Sequence, residues 1–170
     1  MEIKTIEPFL DYYEKIRGRT LRVAKLIPPE RIDWTYTEGK FTFGDLLRHL
    51  GAIERFMFAE NAQLKPSRYP GHGVELAGGY HESLDFMNRM HGESMSIFRK
   101  LSDEDLQRKC ITPNGTPITV WKWLRAMTEH EIHHRGQLYL YLAILGIETP
   151  PLYGLTSEEV LERSSANIQS

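Results

Sequence analysis

The chain has 170 residues, 41% of them hydrophobic, which is enough for one domain with a sizeable core and too short for two comfortable ones. Its 21 Lys and Arg against 23 Asp and Glu leave a formal charge of -2, so there is no polybasic surface to attract nucleic acid and no acidic tail. Cys110 is the only cysteine, which excludes an intrachain disulfide and Cys-rich zinc chemistry and fits a protein of the reducing cytoplasm.

The N-terminus carries Glu2, Lys4, Glu7 and Asp11 and lacks the apolar core of a signal peptide. The first helical pattern starts near Thr5 and places Phe9, Tyr12, Tyr13, Ile16, Val23, Ala24 and Ile27 at three- and four-residue steps until Pro28-Pro29 stops it. In the second, Thr42 can cap the N-terminus with Asp45 reciprocating. Phe43, Leu46, Leu47, Leu50, Ile53, Met57 and Leu64 form its buried stripe, and Pro66 ends it. The stretch from Pro66 to Gly79 is rich in Gly and Pro and reads as an irregular loop, long enough to close over a site.

A third helix is expected from about Tyr80 to Leu101 through Leu84, Met87, Ile97 and Phe98, followed by a stop and short turn at Ser102–Leu106. After the turn formers Pro113-Asn114-Gly115, the fourth segment carries Val120, Trp123, Leu124, Met127, Leu138, Tyr141, Leu142 and Leu145, with Gly146 placed to close it. Thr156 to Arg163 reads as a short C-terminal helix. The longest apolar run, Leu138 to Ile147, is well short of the ~20 residues of a membrane span. Four amphipathic helices with no alternating strand pattern predict an all-α four-helix bundle filling the whole chain, 1–170, as a single domain. Trp34, Trp121 and Trp123 are expected to fill the core or an interface.

The fourth helix carries the most informative string, His130-Glu131-Ile132-His133-His134. His130 and His134 are one turn apart, the spacing at which two imidazoles converge on one divalent ion. On a helical wheel His134 lies near the centre of the buried stripe and His130 about 60° to one side, whereas His133 falls about 120° away and is left outside the site. A third ligand is available from His49 on the flank of the second helix's stripe, and His91 on the third helix competes as a third or fourth. A lone His on an apolar flank is more often a hydrogen-bonded core residue than a ligand, but two imidazoles a turn apart on a buried stripe are costly without a shared partner. His72 and His81 have no positional argument.

The same string satisfies H-E-x-x-H, the zinc-protease signature with Glu as general base. Arg135-Gly136-Gln137 follows, so the compact downstream extension with a third His is absent, and no strand is evident to bind an extended peptide. The match is read as accidental. Glu131, about 40° from the stripe centre on the side opposite His130, could face the cavity as a base or orient a ligand, but the favoured reading is a charged flank residue paired with Arg135 or solvent, and it receives no catalytic role. Gly136 in mid-helix costs about 1 kcal/mol relative to Ala, which makes sense if another backbone packs close by, the alternative being an incidental weak spot.

Together, the His130 to Leu138 string, Gly146-Ile147-Glu148-Thr149-Pro150-Pro151, and Gly44-Asp45-Leu46-Leu47-Arg48-His49-Leu50 resemble the DinB/YfiT-like family. The resemblance spans most of the chain in helix order. It implies a four-helix bundle, a homodimer, and one divalent metal ion, zinc or nickel, held by His49, His130 and His134. It further implies a metal-dependent enzyme whose centre activates water or a low-molecular-weight thiol, by hydrolase or thiol S-transferase chemistry on a small-molecule substrate. The alternative is a non-catalytic metal-binding protein induced by damage or stress. The family's association with DNA damage is no evidence for DNA contact, and the charge balance argues against it.

Overall fold

The computed structural model describes residues 2–168, with side chains described through residue 165. Helix α1 spans Ile6–Ala24, α2 spans Phe43–Ile53, α3 spans Ala59–Ala62, α4 spans Gly79–Phe98, α5 spans Val120–Ile144 and α6 spans Ser157–Ile168. Strands β1 (Lys109–Ile111) and β2 (Pro117–Thr119) form an antiparallel hairpin with Cys110 opposite Ile118. This hairpin departs from the all-helical expectation. Each strand is three residues long, too short for an alternating pattern to register.

The start of α2 is fixed by a reciprocal capping box. The Asp45 amide donates to Thr42 Oγ1 at 3.0 Å, and the Thr42 amide donates to Asp45 Oδ2 at 2.9 Å. Such a cap contributes about 1 kcal/mol. Between α2 and α3 the rod continues as a π-helical stretch, Glu54–Phe58, where one extra residue per turn re-aims the side chains. The second helix is therefore not the uninterrupted pattern read from sequence. It ends at Ala62, and Leu64, expected in the buried stripe, is instead exposed with a left-handed φ of 63° that turns the chain before Pro66.

Helix α1 packs on α5 and α2 on α4. At Gly51 the second pair approaches closely, since a Cβ there would stand 2.9 Å from Met87 Cα. Gly136 shows no such approach, for nothing lies within 4 Å of a Cβ built on it and the residue is exposed. Gly136 is therefore the incidental weak spot of the two readings, and the close backbone approach is at Gly51.

The apolar core has two large halves along the bundle and a smaller cluster of Ala52, Ala77, Phe86 and Met90 between α2 and α4. One half gathers Tyr13, Ile16, Phe58, Met95, Phe98, Leu124 and Met127. The other gathers Val23, Ile27, Leu46, Leu47, Leu50, Met87, Leu138 and Leu142. In the sequence of each long helix, a polar residue stands between the two halves: Arg17 on α1, Glu54 on the π-helical stretch, His91 on α4 and Glu131 on α5. These four form one buried polar layer, described below. None of the described helices is long and apolar enough to cross a membrane.

Candidate metal centre

His49 enters from α2, and His130 and His134 enter from α5 one turn apart. Their ring nitrogens meet. His49 Nε2 lies 3.0 Å from His130 Nε2, and His130 Nε2 lies 3.1 Å from His134 Nε2. Three imidazole nitrogens each about 2.0–2.1 Å from one ion must stand roughly 3–3.5 Å apart, so the spacing fits a shared cation. Among the described residues no other His, Cys, Asp or Glu ligand atom joins the group. A three-ligand set leaves coordination positions free, as catalytic rather than structural zinc sites do.

The opposite nitrogens of two rings are tied down. His134 Nδ1 donates to Gln137 Oε1 at 2.6 Å, which leaves Nε2 as the lone-pair nitrogen. His49 Nδ1 is 2.7 Å from Tyr69 Oη, and Tyr69 Oη is 3.3 Å from His72 Nδ1. Donation from His49 to Tyr69 and from Tyr69 to His72 satisfies all three groups and again leaves His49 Nε2 free. Partners of this kind select the tautomer and the ring orientation that a metal requires.

Burial and the neighbouring imidazoles push the pKa of His49 and of His130 down to about 3, and burial lowers that of His134 despite its Gln137 hydrogen bond. At neutral pH the trio is uncharged, and the lone pairs of His49 Nε2 and His134 Nε2 both face His130 Nε2. A cation in the gap would be shared by all three nitrogens, whereas one proton on His130 Nε2 can serve only one neighbour well.

Phe41 covers the cluster, with ring centroids 5.2 Å from His49, 4.4 Å from His72 and 6.1 Å from His134. Next to it a cavity of about 230 Å³ is lined by Tyr36, Lys40, Phe41, His134, Gln137 and Tyr141. A larger cavity of about 630 Å³ lies between residues 64–69 and 109–113, and of the residues around the trio only Tyr69 lines it. The smaller one is the more relevant to chemistry, because a proposed ligand forms its wall.

The loop that brings Tyr69 and His72 to the centre is fastened from beneath. Buried Arg48 donates from Nε to the His72 carbonyl at 2.8 Å and from Nη1 to the Ala77 carbonyl at 3.1 Å, while Nη2 pairs with Asp45 at 2.8 Å. The segment from Pro66 to Gly79 thus lies at the site as a pinned wall. Sequence reading found no reason to place His72 there, since a loop has no periodicity, and did not single out Tyr69.

His91 does not join the trio. Its Nδ1 is 2.9 Å from Glu54 Oε1 and its Nε2 is 3.3 Å from Glu14 Oε2, so the competing-ligand expectation is replaced by a place in the polar layer. Burial opposes a charge on His91, but Glu54 outweighs it and holds the imidazole above its usual pKa. Glu131 is also corrected. It is buried, 3.1 Å from Arg17 Nη2, and not a flank residue paired with Arg135 or solvent. Arg17 also pairs with Glu54, whose carboxyl is held below the usual range by Arg17 and His91 against the effect of burial. His133 is exposed, as its wheel position implied.

The sequence profile of the DinB superfamily matches residues 12–138. Over 63 residues the chain is 32% identical to the uncharacterized protein YjoA of Bacillus subtilis, a match that spans 36% of this chain and 41% of that protein. The crystal structure of YjoA superposes with a TM-score of 0.71 at 19% identity, covering 86% of this chain and 97% of that one. A DinB-like protein of Bacillus cereus gives 0.73 at 20% identity, covering 87% and 97%. YfiT of Bacillus subtilis gives 0.67 at 16% identity, covering 84% and 89%; it is described as a probable metal-dependent hydrolase with an unusual four-helix bundle topology.

Proposed function

The chain belongs to the DinB superfamily, and we propose that it is a divalent-metal-dependent enzyme acting on a small molecule, with His49, His130 and His134 as the ligands of one zinc or nickel ion. The observation that carries this reading is the convergence of three neutral Nε2 atoms at 3.0 and 3.1 Å. A divalent ion bound there supplies Lewis acidity that brings the pKa of water or a thiol at its open position toward neutrality. The description of YfiT supports hydrolysis, and the thiol as the alternative nucleophile rests on what the resemblance to the DinB/YfiT-like family implies.

The remaining residues have separable tasks. Tyr69 and Gln137 hold the outer nitrogens of His49 and His134, so the inner ones stay aimed. Phe41 excludes water on one side of the cluster. His72 accepts the Tyr69 hydroxyl on Nδ1 and so fixes the direction of the hydrogen-bond chain that leaves His49 Nε2 free. Tyr36, Lys40 and Tyr141 in the adjoining cavity provide an apolar and cationic wall for a substrate.

Two measurements test this. Metal analysis of the purified protein is expected to give one divalent ion per chain. Turnover is then sought with an ester and amide panel and with electrophiles in the presence of several low-molecular-weight thiols. A fully metallated protein inert toward both sets would sink the enzymatic reading and leave a metal-binding stress protein.

A further inference from the structure

The hairpin between α4 and α5 has no part in the metal centre, yet its first strand walls the larger cavity, about 630 Å³, opposite residues 64–69. That volume lies within the range of small-molecule sites. Tyr69 links the two places, for it lines the cavity while its hydroxyl lies 2.7 Å from His49 Nδ1.

The charge of the wall is one-sided. Lys65, Arg68 and Lys109 line the cavity and no Asp or Glu does, in a chain whose formal charge is -2. Arg68 is paired with Glu60 at 2.7 Å. Lys65 Nζ reaches the Gln63 side-chain oxygen at 3.2 Å, and neither lysine has a carboxylate partner among the described residues.

Backbone donors add to these cations. In the hairpin the Thr112 amide donates to the Thr116 carbonyl at 3.0 Å and the Val120 amide to the Arg108 carbonyl at 2.9 Å, on either side of the Cys110–Ile118 pair. Bonded and non-bonded pairs alternate along an antiparallel ladder, so the amides of Lys109 and Ile111 point away from β2, to the strand's outer edge. Neither has an acceptor among the described residues. Residues 109–113 line the cavity without a gap. Side chains that alternate between two faces cannot do this alone, so the edge itself is part of the wall.

Apolar side chains form the rim. Leu64 and Ile111 are 39% and 56% accessible and line the same cavity. Leu64 is the only non-glycine residue among those described with a left-handed backbone, φ 63°, a conformation that favours Gly. A leucine kept there, at a cavity mouth, points to a use for its side chain.

We propose that this cavity is a binding site, separate from the metal centre, for a small organic oxyanion. The apolar body sits between Leu64 and Ile111, and its carboxylate or phosphate is taken by Lys65, Lys109 and an edge amide of β1. An anion satisfies the free ammonium groups and the strand-edge donor together, which a neutral or cationic ligand does not. The site is built from its own walls and does not depend on turnover at the metal.

Calorimetric titration tests this, with 4-phenylbutyrate and 4-phenylbutyl phosphate as probes and 4-phenylbutan-1-ol as the neutral counterpart, on protein as isolated and after chelation. At least one anion is expected to fill one site per chain in both preparations, about tenfold or more tighter than the alcohol, and the tighter anion identifies the head group. Lys65→Glu/Lys109→Glu weakens anion binding about tenfold or more, whereas Lys15→Glu/Lys25→Glu, the same charge change at exposed positions on α1 and its end, leaves it within about twofold. Leu64→Gly keeps or raises the denaturation midpoint and weakens anion and alcohol alike, by about threefold or more. Three results overturn the proposal: neither anion binds better than the alcohol, binding disappears on chelation because the anion was a ligand of the metal, or the two double lysine variants behave alike.

Discussion

Glu131 and His130 are adjacent in the chain and serve different sites. His130 turns Nε2 to within 3.0 Å of His49, while Glu131 Oε2 stands 3.1 Å from Arg17 in the buried polar layer. The carboxylate of H-E-x-x-H is therefore already paired with a guanidinium and is not free to act as a base at the histidine centre. This is the physical reason why the protease reading fails.

Removal of any one of the three histidines should abolish tight metal binding. His49→Ala, His130→Ala and His134→Ala are each expected to lower affinity more than 100-fold, with stoichiometry falling from one to near zero. Elemental analysis after desalting, and competition with a chromophoric chelator, measure this. A variant that keeps full stoichiometry and affinity removes its residue from the ligand set.

Tyr69→Phe and Gln137→Leu leave the ligands in place but release the outer nitrogen of His49 or His134. Metal affinity should fall by about 10- to 100-fold, with circular dichroism unchanged. Unaltered affinity in both variants would show that the bundle backbone alone orients the rings.

The depressed histidine pKa values give a signed pH dependence. In the folded, metal-free chain His49 and His130 stay neutral down to about pH 3, whereas the unfolded chain takes up protons near 6.5. Between those values the unfolded state binds more protons. Stability is therefore full above pH ~6.5 and declines as pH falls toward 3, by on the order of 1 kcal/mol per pH unit for each ring. Urea titrations of metal-free protein at pH 7.5 and about 5 check the slope. Protons also compete weakly for the folded ligands, so metal should remain bound at pH ~5, where a free imidazole is mostly protonated.

Arg17→Met should destabilise the fold by about 3–5 kcal/mol, since Glu54 and Glu131 would be left buried without their common partner. Glu131→Gln should cost less, because Glu54 still pairs with Arg17. Denaturation midpoints distinguish the two. An Arg17→Met protein as stable as wild type would mean that water, not the guanidinium, satisfies the carboxylates.

Much of the architecture was legible because helices declare themselves by period. The stripe from Phe43 to Leu50, the Thr42–Asp45 cap and the one-turn spacing of His130 and His134 are all local patterns, and the structure brings His49 to the other two as the wheels suggested. What was missed depends on non-local geometry. The π-helical stretch that re-aims Glu54 leaves no mark in the order of residues. Tyr69 and His72 reach the centre through a loop whose course is set by Arg48, 24 positions before His72 and tied to it by no periodicity. The same holds for Glu131, whose burial follows from Arg17 more than a hundred positions earlier.

The ionic layer also bears on precision. Shifting α2 along α5 by one turn, about 5.4 Å, would cost little in either greasy half, where one leucine can replace another. It would pull Glu54 off Arg17, however, and strand both in a dry interior. The charged layer thus acts as an alignment pin for the helices. It sets the relative height of the rods that carry His49 and His130, and so keeps nitrogen atoms 81 residues apart in the chain in a fixed relation.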